Sequence, residues 1–190
     1  MSNVTDPATN DQPIRPAPQP NQSQSTAEHR ESAPDSVSVA VLTVSDTRTT
    51  ETDTSGRLIL DGLAAGGHTV VDYRIAPDDP EAIRAIILGW AANPRIAAIL
   101  TNGGTGIARR DTTYDVVAGL LDKRLDGFGE LFRMLSFPEI GAAAMLSRAV
   151  AGVHQETLIM TMPGSRNAVG LALGRLILPE LAHLVYEVTK

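Results

Sequence analysis

Residues 101–113 read TNGGTGIARRDTT, with glycine at 103, 104 and 106 ahead of Arg109, Arg110 and Asp111. Glycine at this density lets successive backbone N–H groups approach an anion closely. A helix starting just beyond would add the positive end of its dipole. That is phosphate-binding chemistry. The stretch is not a Walker loop, because no Lys-Ser or Lys-Thr follows at the required spacing. Nor is it a dinucleotide fingerprint, since Arg109 stands at the third glycine position. A tight turn needing positive φ would use the same glycines. Asp111 and the pair Asp78-Asp79 also have two readings. Each precedes a segment of helical period and could be an N-cap and nothing more, as could Thr112 or Thr113. Carboxylates beside bound phosphate repel it unless a cation stands between them. Asp78 and Asp111 together with the glycine loop therefore favour a nucleotide site holding Mg²⁺.

Other chemistries lack their parts. Ser45, Ser147 and Ser165 could be nucleophiles only beside a base, and His29, His68, His154 and His183 all fall outside the predicted site loops. No G-x-S-x-G elbow occurs, the histidine spacing offers no zinc site, and the histidines read as surface residues. With no cysteine there is no disulfide, thiolate metal site or thiol nucleophile. A net charge of −6 with no basic cluster gives no reason to expect nucleic acid. No 18-residue apolar run and no signal-peptide order are read in the sequence, so no membrane role is expected and the localisation expected is cytoplasmic.

The elements that would position these residues begin at Ser36. VSVAVLTV (37–44), HTVVDYRI (68–75), IAAILT (96–101) and ETLIMTM (156–162) read as strands, the first buried on both faces. Helices are expected over 56–65, ended by Gly66-Gly67, and over 80–91, where Ile83, Ile86, Ile87 and Trp90 share a face. A further helix starts near Thr112, and 128–145 reads as helical with a break near Pro138. A last helix carries Val169, Leu173, Leu176 and Ile177 and is interrupted by Pro179. Strands alternating with amphipathic helices predict a three-layer α/β/α domain over 37–190 with a mostly parallel central sheet. Right-handed crossovers then bring the loops after the strands to one rim: Ser45-Asp46, Pro77-Asp78-Asp79, 102–111 and Pro163-Gly164-Ser165. Only seven residues are Phe, Trp or Tyr, so the core should be aliphatic. The stretch FGELFRMLSFPEIGAAAML (128–146) reads as core, or as a subunit interface. Residues 1–36 hold six of the twelve prolines among many Gln, Asn, Ser and Thr, and read as a disordered tail.

TNGGTGIARRD, GFGELFRMLSFPEIG, LSRAVAG and MPGS together resemble the MoaB/MogA family of molybdenum cofactor biosynthesis, to which the gephyrin G domain also belongs. The similarity covers roughly residues 37–188, and the helical segments look more like the MoaB branch. The resemblance implies a molybdopterin adenylyltransferase, a nucleotidyltransferase that uses Mg²⁺ and ATP to adenylate the terminal phosphate of molybdopterin and releases pyrophosphate. Carried over by position, Asp78 and Asp111 match the family's catalytic acidic residues and would arrange Mg²⁺. Gly103, Gly104, Thr105 and Gly106 match its GGTG loop, Ser45-Asp46 its S-D pair, Ser147 its L-S-R serine, and Pro163-Gly164-Ser165 its pocket turn. Homotrimers or hexamers and a downstream molybdenum-insertion protein are the partners it implies. The alternative is a non-catalytic oligomeric protein that binds pterin or a partner without turnover. Asn102 and Tyr114-Asp115 depart from the family pattern.

Overall fold

The computed structural model describes residues 32–190; the tail expected over residues 1–36 therefore lies, for residues 1–31, outside the described residues. β1 (Ser38–Val44) is a β-branched run buried along nearly its whole length, as a strand covered on both faces must be. It pairs in parallel with β2 (Thr69–Ala76) on one side and β3 (Ala98–Asn102) on the other. β3 pairs in parallel with β6 (Thr157–Met162). Beyond it lie β5 (Val150–His154) and the short β4 (Lys123–Arg124), both antiparallel to their neighbours. The six-stranded sheet has the order β2-β1-β3-β6-β5-β4.

Alternation along β1 divides the core between two faces. Val39 and Val41 pack with α1 (Thr54–Ala65), α4 (Asp126–Ile140), α5 (Arg166–Ala172) and α6 (Leu178–Thr189). Ala40, Leu42 and Val44 point to the opposite face, against α2 (Pro80–Ala91) and α3 (Thr113–Leu120). This is the three-layer α/β/α arrangement read from the sequence. The largest fully buried side chains are aliphatic or methionine apart from Phe132.

The helix ends follow local chemistry. Asp53 caps α1 through Gly56 N at 2.8 Å, so the helix starts at Thr54, two residues ahead of expectation. Gly67 at φ +79 ends it, with Gly67 N on Ala64 O and His68 N on Leu63 O. Four expectations change. Pro138 lies inside α4, and the helix stops instead at Gly141, φ +58, where a 3₁₀ segment Gly141–Leu146 begins. Pro179 does not interrupt its helix. A π turn over Leu173–Ile177 carries the chain from α5 into α6, and the wider turn relieves the clash that a proline makes with the carbonyl four residues back. The β5–β4 pair has no counterpart among the strands expected from the sequence. Finally, the run Arg166–Thr189 is long and apolar enough by composition to cross a membrane; here Val169, Ala172, Leu173, Ile177, Leu181 and Val185 are core residues beside the sheet.

Candidate functional site

The parallel strands β1, β2, β3 and β6 all leave the sheet at one rim, and antiparallel β5 enters from that same rim. The four predicted loops meet there, joined by the segment leading into β5. β3 runs one residue further than expected, so Asn102 is its buried last residue and donates Nδ2–H to Thr43 Oγ1 at 2.8 Å. The chain then turns through Gly103 and Gly104 at φ +92 and +61, conformations that suit glycine. A Cβ on Gly103 would strike the Val44 carbonyl, and one on Gly164 would press on Gly103 Cα at 2.9 Å. The loop is thus pressed between the ends of β1 and β6.

The two aspartates are now separable from helix caps. Asp79 caps α2 through Ala82 N at 2.8 Å, which leaves Asp78 for another task. Its Oδ1 accepts Thr112 N at 3.0 Å and Thr112 Oγ1 at 2.7 Å, while Oδ2 lies where a Cβ of Gly104 would stand. Asp111 does not cap α3. That position belongs to Thr112, whose hydroxyl is turned to Asp78 instead. Asp111 Oδ2 accepts Ala108 N at 2.9 Å and occupies the space beside Gly106 that a Cβ would need. Each carboxylate therefore commits one oxygen to the loop backbone and keeps the other, Asp78 Oδ2 and Asp111 Oδ1, without a hydrogen bond among the described residues. Gly104 and Gly106 are bare for a reason beyond anion access: they leave room for the carboxylates.

Two further features suit an anionic ligand with a cation. The N–H groups of Gly104, Thr105 and Gly106 make no hydrogen bond among the described residues. Thr113 Oγ1 is buried beside Gly104 and Asp78 Oδ2, with no partner among the described residues; a buried hydroxyl in that condition is costly unless something reaches it. Among the described residues no three Asp, Glu or His side chains gather as a metal cage. Mg²⁺ does not require one, since it is commonly held by one or two carboxylates plus substrate phosphates.

The remaining predicted residues have supporting positions. Ser45 Oγ accepts Thr47 N at 3.3 Å and Arg48 N at 3.2 Å, which shapes the loop after β1. Asp46 Oδ1 accepts Asp78 N at 3.1 Å and Oδ2 lies 3.9 Å from Arg110, both side chains largely exposed. Ser165 caps α5 through Ala168 N, and the Gly164 carbonyl accepts Ser55 Oγ at 2.8 Å. Pro163, ahead of them, is half-buried at the end of β6. Ser147 is at the rim, ending the 3₁₀ segment, and no hydrogen bond joins its side chain to the loop among the described residues. Its neighbour Arg148 does the joining. Arg148 donates from Nε to Thr105 O at 2.9 Å and from Nη2 to Gly106 O at 2.8 Å. It also grips Asp115 with both Nη atoms at 3.1 Å and lies over the Tyr114 ring. Sequence reasoning missed this residue, because nothing in the spacing links position 148 to a loop more than forty residues earlier. The histidines correct another expectation: His68, His154 and His183 are half-buried, and His68 Nδ1 accepts Val37 N at 3.2 Å. Behind the rim the half-buried Tyr73 donates its hydroxyl to buried Asp53 at 2.6 Å; partial burial, then that carboxylate, push the phenol well above its ordinary range.

Comparison with known proteins bears on this arrangement. The model of a probable molybdopterin binding domain matches residues 40–183. The chain belongs to the MoaB/MogA family. A Bacillus subtilis relative named molybdenum cofactor biosynthesis protein B is 50% identical over 167 residues, covering 87% of this chain and 98% of its own length. A crystal structure of a protein of that name matches at TM-score 0.79 and 49% identity, over 82% of this chain and 98% of that one. The tungsten cofactor synthesizing protein MoaB of Pyrococcus furiosus matches at TM-score 0.74 and 37% identity, over 83% and 100%. The family match spans every rim loop described above.

Proposed function

We propose that this protein acts in molybdenum cofactor biosynthesis as a molybdopterin adenylyltransferase. The observation that carries the reading is the pair Asp78 and Asp111, each with one oxygen on the glycine loop and one left over, in a chain whose relatives are named for this pathway. The nucleophile is the terminal phosphate of molybdopterin, already ionised at neutral pH, so no general base is required. Its oxygen forms a bond to the α-phosphorus of ATP, the bond from that phosphorus to the bridging oxygen breaks, and pyrophosphate leaves with the electron pair. The obstacle is repulsion between two anions. Asp78 and Asp111 are the residues that would hold Mg²⁺, whose positive charge offsets that repulsion when bound. The N–H groups of Gly104, Thr105 and Gly106 supply neutral donors to phosphate oxygens, and the latch through Arg148 keeps their geometry from relaxing. ATP as substrate agrees with the cytoplasmic localisation expected from the sequence.

Incubation with molybdopterin, ATP and Mg²⁺ should yield adenylylated pterin and pyrophosphate. Asp111→Asn, which keeps the Ala108 hydrogen bond but removes the charge, should lower turnover by about a hundredfold or more. No product above that control would overturn the proposal. One observation bears on assembly, which the alternative reading of an oligomer that binds without turnover shares: Leu131, Met134, Phe137, Ile140, Met145 and Leu146 are exposed apolar side chains on α4 and the 3₁₀ segment after it. Such a row suits a homotrimer or hexamer, and is equally compatible with an active enzyme or with docking of a molybdenum-insertion protein.

A further inference from the structure

A cavity of about 560 Å³ opens on the flank of the glycine loop, between the first turn of α2, residues 107–112 and the first turn of α3. Three arginines line it, and they are not equivalent. Arg148 is fully engaged by Asp115 and by the carbonyls of Thr105 and Gly106. Arg84, half-buried on α2, and Arg109, exposed on the loop, make no ion pair or hydrogen bond among the described residues. Both guanidinium groups are open to the cavity and carry planar forks of donors that no protein acceptor occupies among the described residues. Two such forks around one cavity suit a ligand with several closely spaced anionic oxygens. Asp111 is shared: it borders this cavity and also packs against Gly106. A group bound between the arginines therefore sits next to the carboxylate assigned to the metal.

We propose that this cavity receives a diphosphate group, the β,γ-phosphates of the nucleotide before reaction and free pyrophosphate after it. The inference rests on the adenylyl-transfer reading and adds the place where the leaving group is held. As the bond between the α-phosphorus and the bridging oxygen breaks, negative charge accumulates on the β-phosphate. Arg84 and Arg109 neutralise it there, in the cavity that Asp111 also lines.

Titration calorimetry of the full chain with inorganic pyrophosphate, ATP and AMP, each with Mg²⁺, tests this. Wild type should bind pyrophosphate and ATP. In Arg84→Ser/Arg109→Ser, pyrophosphate affinity should fall by about a hundredfold, near tenfold for each guanidinium removed, with AMP affinity unchanged. Arg95→Ser/Arg175→Ser, at two exposed arginines that do not line the cavity, should leave all three ligands unaffected and so controls for the loss of two positive charges. Equal pyrophosphate binding by wild type and the double variant overturns the cavity assignment even where adenylylated pterin is formed. Loss of pyrophosphate binding in the double variant upholds the assignment even where wild type makes no adenylylated pterin, in which case only the proposed reaction fails. Unchanged thermal midpoints keep either result from reflecting misfolding.

Discussion

At the scale of single residues, the glycine-rich stretch is governed by what lies against it. The glycines, Asp78 and Asp111 could be singled out from the sequence by residue type, and the structure brings them together. Spacing could not separate carboxylates that cap helices from carboxylates that hold the loop. Asp79 and Thr112 take the cap positions, which frees Asp78 and Asp111. Arg148 stood in the L-S-R motif but its role was not legible, since its meaning lies in three carbonyls and a carboxylate contributed by residues 105–115. Its side chain is 25% exposed, so solvent screens part of the ion pair, but the hydrogen bonds to carbonyls have no substitute. Arg148→Ala should lower the unfolding free energy in urea by about 2 kcal/mol, and Arg148→Lys should recover less than half of it, because an ammonium cannot span the same acceptors. Both variants should lower the turnover of molybdopterin adenylylation with little change in the global fold by circular dichroism.

At the scale of elements, the parallel half of the sheet was legible and the antiparallel half was not. β1, β3 and β6 are mostly apolar and buried along nearly their whole length, because both faces are covered. β5, by contrast, reads VAGVH, small and interrupted by Gly152, and its partner β4 has only two residues. The glycine there marks close approach of the Lys123 carbonyl rather than a turn. Likewise Pro179 reads as a break only while its helix is assumed to be α throughout; there the π turn removes the conflict. The junction at the start of β1 carries a titration prediction. His68 accepts the Val37 N–H through Nδ1, and burial lowers its pKa from 6.5. Below about pH 6.5 the unfolded chain takes up a proton that the folded chain resists, so this contribution to stability is present above that pH and is lost as the pH falls. Thermal midpoints measured from about pH 7.5 down to pH 5 should decline, and His68→Gln, which retains an acceptor without titrating, should flatten the decline.

At the scale of the whole molecule, the apolar row on α4 and the 3₁₀ segment is the largest departure from an ordinary surface. Phe137 is 60% exposed, Met134 60% and Met145 78%, although each is a residue type that folding tends to bury. The sequence of this stretch reads as core or interface, and the structure divides it: Phe128 and Phe132 belong to the core, while Leu131, Met134 and Phe137 face outward. Helical periodicity marks both sides of such a helix as apolar, so it could not say which side lacked a neighbour. Light scattering should therefore find an oligomer, and Met134→Glu/Phe137→Glu should yield monomer with its thermal midpoint little changed if the outward side is the contact. A monomeric wild type would refute this.

The antiparallel entry of β5 has a consequence for how the molecule assembles. The glycine loop is synthesised early, but the guanidinium that clasps it arrives 43 residues later than Thr105, on a segment that must first wind through α4 and reverse into the sheet. A nascent chain carrying β1 to β3 and α3 thus has the loop and its two aspartates but not the Arg148 clasp. The finished shape of the loop therefore depends on a contact of long sequence separation, the kind of contact that costs most loop-closure entropy to form. A chain that ends before Arg148 keeps the holds of Asp78 and Asp111 on the loop but lacks the guanidinium that ties the Thr105 and Gly106 carbonyls together.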